Sequence, residues 1–365
     1  MPRPIRATIS AGALVHNLSI ARKHAAGAKI WAVIKANAYG HGLERAARAF
    51  AAADGLAVLD FEEAARLRAA GVSQPILMLE GIFKPADISL LYKYALTPVI
   101  HSREQVDLLR KAELPGTIDV YVKVNSGMNR LGFTVDNLRA SYKALREHPR
   151  IRTVTLMSHF ADADGASGVR SQLELFNELT KDDSTAAFSV PRSLANSAAL
   201  LRFPEARGDW VRPGIMLYGC SPFGYTSADP GAAALGLKPA MTLASELIAT
   251  QHLHSGEKIG YGFSYEAAGE MTIGVVACGY ADGYPRHAPV GAPVLVNGQR
   301  TRIVGRVSMD MVTVDISDIP EASVGSPVTL WGEGLSADEV AAAAGTLSYQ
   351  LLCALAQRVP VVEIP

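Results

Sequence analysis

The sequence predicts an α/β plus β protein: an N-terminal (β/α)8 TIM-type barrel followed by a mainly antiparallel β domain. Three observations carry this. Over the first two-thirds of the 365 residues, eight short apolar, β-rich runs alternate with amphipathic helical patterns, the count of a (β/α)8 barrel. The first run is not followed by GxGxxG, which disfavours the doubly wound sheet that would also alternate. From about residue 234 the helical patterns stop and β-rich segments take over.

The eight runs are KIWAVI (29–34), GLAVLD (55–60), PILMLE (75–80), LTPVIH (96–101), IDVYVKV (118–124), VTLMSHF (154–160), FSVPRSL (188–194) and WVRPGIMLYG (210–219). Unbroken apolar runs fit strands covered on both faces. Between them FEEAARLRAAG, SREQVDLLRKAE and VDNLRASYKALREH place apolar residues three and four apart on a charged background. Ser102 stands at an N-cap position and Gly71 at a C-cap position. Past the Pro/Gly/Ala-rich segment SADPGAAALGLKP come TLASELIATQHLH, EMTIGVVACGY, APVLVNGQRTRIVGRVSM, MVTVDISDI and PVTLWG. Asn297-Gly298 signals a hairpin turn. The helical stretches SADEVAAAAG and TLSYQLLCALAQRV and a terminal strand, VVEI, close the chain. The expected division is a barrel over 1–233 and a β domain over 234–365.

Composition bounds the function. The 35 Lys and Arg balance 35 Asp and Glu, and 49% of residues are hydrophobic against 19% charged. A neutral chain of this kind is not expected to hold nucleic acid, whose binding requires an excess of basic residues. No stretch reaches the roughly 18 apolar residues of a membrane helix, so no membrane partner, channel or transporter is expected. Cys220, Cys278 and Cys353 are odd in number and widely spaced, so neither a disulfide framework nor a zinc site is read, and no metal is assigned. With no apolar h-region in MPRPIRATIS, the expected compartment is the cytoplasm.

The first strand leads directly into Lys35, within AVIKANAYGHG (32–42). A lysine at the C-terminal mouth of a barrel strand lies where barrel active sites are built. A lysine buried in such a place has its ammonium form disfavoured, which frees an amine able to form a Schiff base with an aldehyde. Tyr39 and His41 lie beside Gly40 and Gly42, in a loop that lets backbone approach a ligand.

AVIKANAYGHG resembles the pyridoxal phosphate (PLP) signature of the alanine racemases, fold-type III PLP enzymes. KVNSGMNRLGF (123–133), ANSAAL (195–200), VRPGIMLYG (211–219), GYGFSY (260–265), ACGYADGYPR (277–286), GRVSMD (305–310) and TLSYQLLCAL (346–355) resemble the same family in the same order, across essentially the whole chain.

The resemblance implies a set of roles. Lys35 would hold PLP and, once displaced by the substrate amine, act as a base on one face of the substrate Cα. Tyr265 would be the base on the other face, reaching in from a partner subunit of a homodimer with shared active sites. In GYGFSY, strand alternation alone puts Tyr261 and Tyr265 on one face; the motif selects Tyr265. Arg212 would face the pyridine nitrogen and keep it unprotonated, with His159 supporting it. Ser197, Gly214, Ile215, Tyr39 and Tyr349 would hold the phosphate. Arg130 would orient the substrate carboxylate, Met309 would offer its backbone N–H to it from the second subunit, and Tyr280 would narrow the entry. Lys123 matches a lysine that several members carry carbamylated. Ser308 stands where many relatives have cysteine.

The expected activity is interconversion of L- and D-alanine, supplying D-alanine for peptidoglycan or degrading it. A broader-specificity amino-acid racemase is the near alternative. A fold-type III decarboxylase is disfavoured, because those enzymes use a cysteine base and an acidic partner for the ring nitrogen. A non-catalytic PLP carrier would lack the second domain.

Overall fold

The structure, a computed structural model, describes residues 3–181, 190–226 and 231–365. These form two compact units, Leu18–Ala38 with Gly42–Leu217, and Met1–Asn17 with Tyr39–His41 and Tyr218–Pro365.

The chain opens with β1 (Arg6–Ser10). The barrel follows as β2 (Lys29–Val33), β3 (Gly55–Val58), β4 (Ile76–Met78), β5 (Leu96–Ile100), β6 (Ile118–Lys123), β7 (Ile151–Met157), β8 (Arg192–Ser193) and β9 (Trp210–Val211). All neighbours are parallel, and β9 pairs with β2 to close the barrel. Each of the eight apolar runs therefore supplies a barrel strand. Two are much shorter than expected. The run at 210–219 pairs only at Trp210 and Val211, because Pro213 has no N–H for a ladder; its apolar remainder forms a buried 3-10 turn at Ile215–Tyr218. The run at 188–194 pairs only at Arg192–Ser193, and its first two residues lie outside the described residues.

The barrel interior is packed with side chains. Trp31 of β2 stacks on Trp210 of β9 with ring centroids 4.3 Å apart. Its indole N–H donates to the Tyr121 hydroxyl at 2.8 Å. Gly55 makes this layer possible, since a Cβ there would stand 2.1 Å from the Trp31 ring. The surface helices begin and end where local chemistry dictates. Ser102 Oγ accepts from Gln105 N, Asp60 caps Phe61–Ala69 through Glu62 N, and Gly71 follows that helix at φ 84°.

The second unit is built from β10 (Met241–Leu253), β11 (Lys258–Ile259), β12 (Tyr265–Glu266), β13 (Met271–Val276), β14 (Pro293–Val296), β15 (Gln299–Arg302), β16 (Val312–Asp315), β17 (Pro327–Trp331) and β18 (Val361–Ile364). One sheet runs β15-β14-β17-β10-β1-β18, with β13 joining β10 to β16. The ladders are antiparallel except β1 with β18. Asn297 (φ 50°) and Gly298 (φ 75°) form the two-residue turn between β14 and β15, the mirror-image turn whose twist suits a hairpin. The segment SADPGAAALGLKP lies partly in 227–230, outside the described residues. Among the described residues no helix is long and apolar enough to cross a membrane.

Candidate active site

Lys35 stands just past the end of β2, half-buried at the C-terminal mouth of the barrel. The four residues after it are all left-handed: Ala36 (φ 55°), Asn37 (φ 52°), Ala38 (φ 54°) and Tyr39 (φ 51°). Each such residue costs an L-amino acid roughly 1–2 kcal/mol. Hydrogen bonds on several sides hold the turn. Ala38 N donates to Ile34 O at 2.9 Å, Asn37 N to Glu63 Oε1 at 3.1 Å, and Leu43 N to Asn37 Oδ1 at 2.9 Å. Hydrogen bonds at this many points hold the strained backbone that follows Lys35.

Further cations converge on the same mouth. Lys123 ends β6 and is buried. Burial pulls its ammonium down to about 8; Arg212 and Arg130 push the same way, Glu80 opposes them, and Lys35 adds the smallest push. About a tenth of this amine is therefore neutral at pH 7. Arg130 is exposed, in the loop after β6. Asn125 Oδ1 gathers that loop by accepting from Gly127 N and Asn129 N. His159, after β7, is held well below the ordinary imidazole range by burial and then by Arg212, Lys123, Arg130 and Lys35, so it stays neutral.

Arg212, just after β9, is the most constrained of the set. Nη1 donates to Ser193 O (2.6 Å) and Ser193 Oγ (2.8 Å), and Nη2 to Ser158 O (2.6 Å) and Leu194 O (3.1 Å). His159 Nδ1 lies 3.4 Å from Nη2 and, being neutral, accepts from it. Burial lowers Arg212 to about 10, which leaves it charged at neutral pH. Nε takes part in none of these bonds. Nearby, Gly214 N donates to the buried Ser197 Oγ at 2.9 Å, and Ile215 opens the buried 3-10 turn that follows.

The second unit carries the remaining candidates. Tyr39 stacks on Tyr218 at 4.6 Å, and the Tyr349 ring lies 6.0 Å from Tyr39. Burial pushes the Tyr39 hydroxyl well above its ordinary range. Gly40 beside it has room for no side chain, since a Cβ would come within 2.2 Å of Leu352 O. Tyr280 and Met309 are exposed and tied through backbone: Tyr280 N donates to Ser308 O and Ala281 N to Met309 O, each at 3.0 Å. Asp282 anchors this turn, accepting from both Arg3 and Arg358 while fully buried.

Tyr265 opens β12. Its ring packs on a small core of Ile259, Ala267, Met271, Ile273 and Val304. Arg302 Nη2 lies 3.4 Å from its hydroxyl and also pairs with Asp315. The expectation that Tyr261 and Tyr265 share a strand face does not hold. Tyr261 belongs to a 3-10 turn and is 71% exposed, because Gly260 (φ 70°) and Gly262 (φ 71°) interrupt the strand.

Four residues of this machinery are not legible as site residues in the sequence: Ser193, Tyr218, Arg302 and Asp315. Only Arg302 had a local signal, as a cation on the hairpin after Asn297-Gly298.

The closed parallel barrel, with an amine and three further cations around a neutral histidine at its mouth, defines a barrel protein with a cationic site suited to a small anionic ligand. Comparison with known proteins makes this particular. The family model described as alanine racemase, N-terminal domain, matches residues 9–222, and that for the alanine racemase C-terminal domain matches 240–363. A Paraburkholderia phytofirmans alanine racemase is 54% identical over 361 residues, covering 99% of both chains. One from Erwinia tasmaniensis is 51% identical at the same coverage. The crystal structure of a biosynthetic alanine racemase from Pseudomonas aeruginosa superposes with a TM-score of 0.94 at 48% identity, covering 100% of each chain. This chain belongs to the alanine racemase family.

Proposed function

We propose that this protein interconverts L- and D-alanine by a two-base reaction with PLP as cofactor. The observation that carries the reading is the constellation at the barrel mouth: Lys35 on its strained turn, facing a region where Lys123, Arg130 and Arg212 supply positive charge to a chain neutral overall. Such a site suits a small ligand with phosphate and carboxylate groups.

The residues present fit PLP. Lys35 offers the amine for its aldehyde. Both terminal nitrogens of Arg212 are spent on barrel carbonyls, which leaves Nε–H to donate to a ring nitrogen. An arginine gives up no proton there, so that nitrogen stays unprotonated. Ser197, Gly214 and Ile215, with the Tyr39 and Tyr349 hydroxyls, would hold the phosphate. When bound, PLP supplies the electron withdrawal that makes the substrate Cα–H acidic.

The chain's own groups do the rest. Arg130 pairs with the substrate carboxylate through its planar fork, and the Met309 N–H adds a donor. Lys35 Nζ moves a proton on one face of Cα, and the Tyr265 hydroxyl moves one on the opposite face. Arg302 places a guanidinium where negative charge on the Tyr265 oxygen would develop. Tyr280 narrows the approach in favour of a small side chain. A carbamate on Lys123 would turn a like-charged neighbour of Arg130 into an anionic partner; its lowered amine is the support for this.

Tyr265 acts in the site of the partner subunit of a homodimer, the segment after residue 234 being the part that reaches across. The protein works in the cytoplasm, supplying D-alanine for peptidoglycan or degrading it. Mixing inactive Lys35→Ala and Tyr265→Ala variants tests the shared site. A hybrid has one site free of both changes, so D-alanine formation from L-alanine should partly return. A verified heterodimer without recovery would refute sharing.

A further inference from the structure

Where β10 ends, the strand alternates its side chains cleanly. Leu253 packs inward on the core of Ile259, Ala267, Met271, Ile273 and Val304, while His252 and His254 on either side are exposed. Across the ladder, Thr272 is the register partner of His252, and Glu270 stands just before β13. The Glu270 carboxylate already meets both imidazoles. Oε2 is 2.8 Å from His252 Nε2, and both carboxylate oxygens are 3.1 Å from His254 Nδ1. The two rings stand edge to face, with centroids 5.7 Å apart, so they approach the carboxylate from different directions.

We propose that His252, His254 and Glu270 form a surface site for a borderline divalent transition-metal ion of the Zn2+ or Ni2+ kind. One ligand atom from each residue lies within 4.8 Å of the other two. Two donors on one such ion are at most about 4.2 Å apart, because each bond is about 2.1 Å. Exposed side chains close that difference by small rotations. Two imidazoles and one carboxylate select zinc, nickel or copper over magnesium or calcium, which prefer all-oxygen ligands. The surroundings add a supporting contact. His252 Nδ1 lies 3.4 Å from Thr272 Oγ1, an outer partner able to accept an Nδ1 proton once Nε2 exchanges its contact with the Glu270 carboxylate for the ion. His254 N donates to Glu257 Oε2 at 2.7 Å, which orders the backbone at the second histidine.

The site has a structural consequence. His254 and Glu270 are the two ends of the segment that contains β11, β12 and Tyr265. An ion there clamps the neck of that segment, and it is independent of any assignment of Tyr265 to the reaction.

The test is calorimetric titration of the intact holoenzyme, freed of excess cofactor, with NiCl2 and separately ZnCl2 in a non-chelating buffer. One ion per chain is expected, with His252→Gln and His254→Gln each weakening binding by about tenfold or more and MgCl2 failing to compete. Amide hydrogen exchange across residues 254–270 should slow on adding Ni2+ and stay unchanged in the His254→Gln variant. Absence of saturable binding in the wild-type protein would overturn the site, as would binding indifferent to both histidine substitutions; the three side chains would then be an ion-paired surface cluster only.

Discussion

Replacing Lys123 by methionine, a side chain of similar reach without the charge, should stabilise the protein. Lys123 is buried, and its folded-state value falls from 10.5 to about 8, chiefly through lost hydration. Holding an amine that far below its ordinary value corresponds to about 3 kcal/mol at neutral pH. The sign follows from proton counting. Between about pH 8 and 10.5 the unfolded chain binds the proton that the folded chain has released, so wild-type stability rises through this window and the contribution is flat below it. Urea unfolding at matched protein concentration, in carbonate-free buffer, should find Lys123→Met more stable by up to about 3 kcal/mol at pH 7. Raising the pH to about 9.5 should narrow the gap by about 2 kcal/mol. Added bicarbonate should stabilise the wild type alone if its amine captures CO2. A variant less stable than wild type at pH 7, or a gap that does not change with pH, would refute the reasoning.

Other substitutions probe other parts. Arg212→Lys replaces two nitrogens, one on Ser193 O and Oγ and the other on Ser158 O and Leu194 O, by a single nitrogen that cannot stand at both positions, so a loss of about 2–4 kcal/mol should appear in chemical denaturation; an unchanged midpoint would contradict this. Gly132→Ala must adopt φ 121° with its Cβ 2.7 Å from Asn125 N. It should cost more than about 1 kcal/mol and raise KM for alanine, because the same loop carries Arg130. Arg302→Met should lower kcat about tenfold through the Tyr265 hydroxyl, against the roughly 10²–10⁴-fold expected for Tyr265→Phe, which removes the proposed base itself. Equal effects of the two would mean that Arg302 does more than support Tyr265.

The barrel was readable because buried parallel strands leave unbroken apolar runs, and each run from 29 to 211 supplies one strand. The hairpin at Asn297-Gly298 was readable because its backbone demands positive φ at both residues. β1 was not, because its partners β10 and β18 come from distant parts of the chain and five residues carry little pattern of their own. The stretch 210–219 looked like one strand because apolar content does not register the N–H that Pro213 lacks. Alternation misplaced Tyr261 because it assumes a strand that two glycines break. In the site, the strand end placed Lys35 at the barrel mouth, but only its neighbours in AVIKANAYGHG pointed to a role for it. The grip on Arg212 was not legible, since it consists of main-chain carbonyls, which every residue possesses and only the fold aims. The His252, His254 and Glu270 cluster also escaped, because it is completed across a ladder.

The central claim is that one proton leaves and another returns on opposite faces of the alanine Cα, through Lys35 and Tyr265. Incubating the purified protein and PLP with L-alanine in D2O tests it most directly, with Cα deuterium and enantiomer followed together. We expect D-alanine carrying deuterium at Cα from the earliest time points, no release of CO2, racemisation slowed roughly 10²–10⁴-fold in Tyr265→Phe, and none in Lys35→Ala. Protein with PLP bound that yields no exchange, or that releases CO2 instead, would contradict it.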